Sequence, residues 1–227
     1  MSGVKMDRLP IIVATGFTRE VRTVEGPAIV AIAGGGVPEQ LERALHDAAA
    51  RGASGIISYG LTGGLADGFE IGDWVVGDRI SGAIDHDCHP GWRDAIVARL
   101  PGARIGTFFA DGRMIDTIAE KRALGVTHQA VAVDMESHIA AGVAKAHGLP
   151  FAIVRIVSDA VDHLLPHAIT VSMRPDGGFD RARMRASLAA EPDQMRDVVQ
   201  TMAQFAAGFR GLRSGARLMG ERLAFPH

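Results

Sequence analysis

Apolar positions along this chain follow two patterns. Some stand in short unbroken runs; others recur every three or four residues. The runs predict buried strands and the spaced stretches predict amphipathic helices. Residues 11–14, 28–33, 54–58, 104–109, 130–133 and 151–157 are such runs. Residues 39–51, 90–100, 117–124, 137–147, 180–190 and 193–210 carry helical spacing. Their alternation predicts an α/β fold. Residues 74–76 and 78–84 read as an antiparallel or mixed pair, so the sheet is not purely parallel.

The most informative stretch is 130–162, which reads strand, helix, strand. Its first joint is Asp134-Met135-Glu136. Gly148-Leu149-Pro150 stops the helix, and Ser158-Asp159 follows the second strand. Ligands of open α/β sheets sit beyond the carboxyl ends of strands. Glu136 and Asp159 are therefore expected on one rim. The structural alternative is that each acid caps the turn or helix beside it.

Other strand ends on that rim carry glycine. Gly16 precedes Arg19, Glu20 and Arg22, which read either as a solvated helix start or as an anion or substrate contact. Gly34-Gly35-Gly36 leads into a helix at Pro38 or Glu39, and its amides could cradle phosphate or serve as a plain turn. Gly63 and Gly64 lie in a second glycine-rich loop. Neither loop is a P-loop or a dinucleotide fingerprint.

Composition narrows the function classes. With 227 residues the chain suits one domain. A net charge of −2 gives no general attraction to nucleic acid or anionic membrane. The single Cys88 excludes an internal disulfide and fits a reducing cytoplasm. No run of about 18 apolar residues predicts a membrane span, and the start MSGVKMDRLP lacks a signal peptide's apolar core. Peripheral contact with lipid stays open. Asp85-His86-Asp87-Cys88-His89 contains metal-ligand residue types, but alternate side chains of an extended run cannot face one ion. No metal is expected, and Cys88 has no base or resolving partner that would make it a nucleophile. The stripe Met195, Val198, Val199, Met202, Phe205 and Phe209 reads as core or subunit contact.

Residues 133–162, with VDMES and VRIVSDAVD, and residues 58–76, SYGLTGGLADGFEIGDWVV, carry a resemblance. In this order they resemble the purine nucleoside phosphorylase and methylthioadenosine/S-adenosylhomocysteine nucleosidase superfamily, over most of 11–162. The later segments LLPHAIT and RPDGGFD resemble its hopanoid-biosynthesis-associated phosphorylase branch, thought to remove adenine from adenosylhopane. The resemblance implies a single-domain three-layer α/β/α sandwich around a central mixed, mostly parallel twisted sheet. It also implies a homo-oligomer, no organic cofactor, and inorganic phosphate as a co-substrate in the phosphorolytic case.

The resemblance implies roles too. Glu136 would bind the ribose hydroxyls and Met135 pack on the sugar. Asp159 would protonate or hydrogen-bond purine N7, oriented by Ser158. Gly63 and Gly64 would lie against substrate. Met114 and Ile115 would contact the base, although ADGRMI departs there from an SGDAFI-like pattern. Glu20 matches the water-activating glutamate of nucleosidases with one residue fewer after Gly16. Arg19, Arg22 and Gly35 would instead serve phosphate.

Cleaving an N-glycosidic bond leaves positive charge on the ribose and negative charge on the purine. One carboxyl group must protonate the base and another hold the sugar. Purine nucleoside cleavage, with adenosylhopane as leading substrate, is the first expectation, and the branch resemblance favours phosphorolysis over hydrolysis. A methylthioadenosine/S-adenosylhomocysteine nucleosidase is the alternative, and a non-catalytic nucleoside-binding protein the third reading. Leu164, Leu165 and Met173 are candidates for an apolar exit.

Overall fold

The computed structural model describes residues 9–174 and 178–226. The first eight residues, and Pro175, Asp176 and Gly177 of the RPDGGFD segment, lie outside the described residues. In chain order the strands are β1 (Ile11–Thr15), β2 (Ile29–Ala33), β3 (Gly55–Gly64), β4 (Trp74–Gly82), β5 (His86–Asp87), β6 (Arg104–Ala110), β7 (Ala130–Val133) and β8 (Phe151–Asp159). The helices are α1 (Thr18–Val21), α2 (Pro38–Ala50), α3 (Pro90–Val97), α4 (Ile118–His128), α5 (Ser137–His147), α6 (His167–Thr170), α7 (Arg181–Ala190) and α8 (Met195–Met219).

One mixed, mostly parallel sheet organises them. Strands β2, β1, β3 and β8 run parallel to one another, as do β4, β6 and β7. The two sets meet antiparallel where β8 pairs β4 and where the end of β3 pairs β7. The pairings close β3, β7, β6, β4 and β8 into a ring. Residues 74–76 and 78–82 are one strand, not a pair. The irregular register between Gly77 and Ile80 bends β4, and its antiparallel neighbours are β8 and the short β5.

Alternating side chains fill two cores, as a strand's period of two requires. Ile12, Ala14, Ile56 and Ile153 face α2 and α5, meeting Leu41, Leu45, Ala140 and Val143. Ile11, Val13, Ile57 and Val154 face α3 and α8, meeting Trp92, Ile96, Phe209 and Leu212. The predicted α8 stripe divides. Val198, Phe205 and Phe209 are buried, whereas Met195, Val199 and Met202 are exposed. Among the described residues no helix is long and apolar enough to cross a membrane.

The 85–89 cluster disperses. Asp85 pairs with Arg79, His86 packs against Phe151, and His89 accepts the amide of Trp92 at the start of α3. Cys88 is buried, and burial pushes its thiol well above the ordinary range.

Candidate active site

A cavity of about 350 Å³ opens over the carboxyl ends of β1, β3, β7 and β8. Glu136 and Asp159 both line it, as the strand-helix-strand reading requires. Glu20, Met135, Ser158, Gly63, Met114 and Ile115 line it as well. Gly64 sits one step away, paired with Ala132.

Neither rim acid is a cap. Glu136 occupies the N-cap position of α5 but makes no capping bond. Asp134 does that work: its Oδ1 accepts the amides of Glu136 and Ser137 at 2.8 and 2.7 Å, and its Oδ2 accepts the Ser137 hydroxyl at 2.6 Å. Glu136 is thereby left to face the cavity. Gly16 permits this, since a Cβ there would meet Glu136 Oε1 at 3.1 Å.

Glu20 is 1% exposed. Its Oε2 accepts the amides of Gly16 and Phe17 at 2.8 and 2.9 Å, and its Oε1 accepts the Leu61 amide at 2.8 Å. Gly60 makes room, because a Cβ there would stand 2.5 Å from Oε1. Burial raises the Glu20 carboxyl above its ordinary value, against the pull of the Arg155 guanidinium and the amides.

Arg155, in the middle of fully buried β8, is the cation of this wall. Its Nη2 donates to Glu136 Oε2 at 3.2 Å and to Ser58 Oγ at 2.7 Å, and its Nη1 donates to the Leu61 carbonyl at 2.9 Å. Its Nε stands 3.3 Å from Asp134 Oδ2 without the alignment of a hydrogen bond. One guanidinium thus serves Glu20, Asp134 and Glu136. Burial, opposed by Arg155 and reinforced by the two neighbouring acids, raises the Glu136 carboxyl to about 7.

Asp159 is held differently. Asp159 Oδ2 accepts from Lys121 Nζ at 2.6 Å, and Ser158 Oγ lies 2.8 Å from Asp159 Oδ1. Both members of the pair are buried. Leu164, Leu165, Met173 and Phe205 add an apolar side to the same cavity.

The residues considered for phosphate fall elsewhere. Arg19 is exposed and stacks on Phe209 at 4.3 Å. Arg22 is exposed and lines a separate groove with Arg213 and Arg217. The Gly35 amide donates to the Gly16 carbonyl at 2.9 Å, so it is spent within the backbone. The sequence reading missed Asp134, Arg155 and Lys121. A charged residue inside the apolar run FAIVRIV was the available signal for Arg155. Lys121, on an ordinary polar helix, gave none.

A family model described as the phosphorylase superfamily matches residues 89–190, the span holding Lys121, Asp134, Glu136, Arg155 and Asp159. Glu20 lies before it. Solved structures share the fold over nearly the whole chain. The native futalosine hydrolase of Helicobacter pylori superimposes with a TM-score of 0.65 at 12% identity, covering 95% of this chain and 97% of its own. A 5′-methylthioadenosine/S-adenosylhomocysteine nucleosidase of the same organism, bound to butyl-thio-DADMe-Immucillin-A, gives 0.63 at 12%, covering 93% and 99%. The S-adenosylhomocysteine nucleosidase of Streptococcus pyogenes, with 5-methylthiotubericidin, gives 0.61 at 16%, covering 92% and 98%. No curated protein sequence matches the chain. These likenesses establish the mixed α/β fold of nucleoside phosphorylases and nucleosidases.

Proposed function

We propose that this chain is an enzyme that cleaves the N-glycosidic bond of an adenine nucleoside. The observation that carries the reading is one cavity lined by two chemically different sets of acids. Glu20 and Glu136 gather around Arg155, and Asp159 is held by Lys121. Glu136 accepts hydrogen bonds from the ribose hydroxyls. Asp159 meets N7 of the base. As the C1′–N9 bond breaks, its electron pair moves into the purine and a proton reaches N7. Water attacks C1′ and gives a proton to Glu20.

Hydrolysis is the better supported route. A phosphate dianion would enter a wall where three carboxyl groups share one guanidinium, and Arg19 and Arg22 stand outside the cavity. The test is adenine release followed with and without inorganic phosphate. Equal rates with free ribose as product support hydrolysis. A rate that depends on phosphate, with ribose 1-phosphate as product, overturns it. Adenine-nucleoside binding with no turnover would leave a binding protein.

The group at C5′ is a second proposal. Leu164, Leu165, Met173 and Phe205 in the cavity wall favour a large apolar substituent, which supports adenosylhopane over the small soluble methylthioadenosine. Relative kcat/KM on the two nucleosides decides between them. The charge distribution and this apolar side suit a protein working in the cytoplasm and meeting a lipid-linked substrate at a membrane surface.

A further inference from the structure

Lys121 is 2% exposed and comes from α4, outside the strand-helix-strand unit that carries both rim acids. Its Nζ makes three contacts: Asp159 Oδ2 at 2.6 Å, the Ala160 carbonyl at 2.8 Å and the His163 carbonyl at 2.9 Å. An ammonium has three N–H donors and no acceptor, so these three oxygens use it completely. Two of them are carbonyls and cannot donate. Moving one proton from Nζ to Oδ2 would leave an amine with two N–H groups for the carbonyls and a lone pair for the new carboxyl O–H. Every hydrogen bond survives the transfer, in either direction.

Ser158 allows the same exchange on the other oxygen. Its Oγ lies 2.8 Å from Asp159 Oδ1 and 3.1 Å from the Thr62 carbonyl, yet a hydroxyl has one proton. With Asp159 ionised the hydroxyl donates to Oδ1. With Oδ1 protonated it accepts from the acid and donates to Thr62. Gly63 permits the close approach, since a Cβ there would stand 3.0 Å from Oδ2.

We propose that Lys121 is a positioning residue that stores the leaving-group proton, passing it through Asp159 to the purine. The step rests on the glycosidic cleavage proposed above. As C1′–N9 breaks, one proton leaves Nζ for Asp159 and one leaves Asp159 for N7. The attacking water loses its proton to Glu20. After product release Glu20 loses that proton to solvent and Lys121 regains one from solvent, so water and nucleoside become ribose and adenine. The titratable and charged groups that line the cavity with this pair are Arg113 and Asp116 from the segment before α4, and Asp134 and Glu136 beyond β7. Glu20 on α1, Arg155 on β8 and His167 after it are the others, with His163 beside Lys121. Strand β3 offers the cavity Leu61, Thr62 and Gly63, none of which titrates.

The test compares the full-length wild type with Lys121→Met and Lys121→Arg from pH 5 to 9. The probes are methylthioadenosine and 4-nitrophenyl riboside, whose phenolate leaves without protonation. Circular dichroism melts confirm that each variant is folded. With methionine, Asp159 must carry the proton alone. Methylthioadenosine turnover should fall about 100-fold at pH 8 yet less than about tenfold at pH 5, with nitrophenyl riboside changed less than about threefold. Arginine keeps the positive charge but does not release its proton, so methylthioadenosine turnover should be lost at both pH values. Parallel pH profiles for wild type and Lys121→Met, equal losses on both probes, or wild-type rates for Lys121→Arg overturn the inference. A wild type inactive on both probes and on adenosylhopane overturns the glycosidic reading and this inference together. An active wild type with parallel profiles overturns this inference alone.

Discussion

Replacing Glu20 by glutamine separates the structural work of that side chain from its chemical work. Its Oε2 serves two amides and its Oε1 serves one. A glutamine keeps the first two by placing its carbonyl at the Oε2 position. Its NH₂ then faces the Leu61 N–H, donor against donor. The cost is one unsatisfied buried amide, about 1–3 kcal/mol. For a chain of this size each kcal/mol lowers Tm by about 2–4 °C, so the variant should melt a few degrees lower and stay folded at 25 °C. Turnover should suffer far more. Loss of a general base costs about 10²–10⁴-fold, and KM should change little because ribose contact falls to Glu136. Initial rates of adenine release, with Tm from circular dichroism, read both effects. A folded Glu20→Gln within tenfold of wild-type kcat would refute Glu20 as the base. A drop in kcat matched by the unfolded fraction would refute it equally.

Gly60→Ala should reproduce much of that loss from outside the cavity, because its Cβ would stand 2.5 Å from a carboxylate pinned by three amides; wild-type kcat would mean the loop shifts freely. Asp159→Asn should remove most turnover while leaving nucleoside affinity largely intact, and should lower Tm because Lys121 loses its buried anion; full activity would sink the leaving-group role. Glu136→Gln should weaken both binding and turnover. It also tests pH dependence: the folded-state value of about 7 lies above the ordinary 4.5, so the stability linked to this group is full below pH 4.5 and is lost as pH rises through 7. The linked loss is roughly 3 kcal/mol at most. Glutamine mimics the protonated form, so the variant should melt like wild type at pH 4 and above it at pH 8; equal Tm differences at both pH values would contradict the burial argument.

The rim was legible because it is local. Strand 130–133, helix 137–147 and strand 151–159 adjoin in sequence, so the acids at their joints had to share an edge. Period and glycine position also located most of the other elements. Partners arriving from elsewhere were not legible. Nothing in the spacing says that Lys121, from α4, reaches Asp159, nor that the 55–64 strand bends at Thr62 and Gly63 to pair with both β8 and β7. Residues 74–82 misled because Gly77 looks like a break between strands, whereas it lies within one strand against Ile153. Arg19 and Arg22 misled differently: proximity in sequence to Gly16 put them near the rim, but the single turn of α1 directs Glu20 inward and both arginines outward.

The charge distribution itself argues for a direction of reaction. Around the proposed base Glu20, three acids share one arginine, and burial leaves Glu20 and Glu136 poised to bind protons. At Asp159 a single acid is matched by a single lysine whose every N–H is engaged. In the proposed cleavage the first group would take a proton from an attacking water and favour the positive charge that develops on the ribose. The second would hold a proton ready for a leaving group that becomes negative. Exchanging the two groups would put proton acceptors beside the departing purine and a cation beside the oxocarbenium. Environments that set neighbouring carboxyl groups to opposite tasks are how acid and base chemistry coexist in one cavity, and in the proposed reaction that division would be made by Arg155 and Lys121, buried cations that bind the site acids.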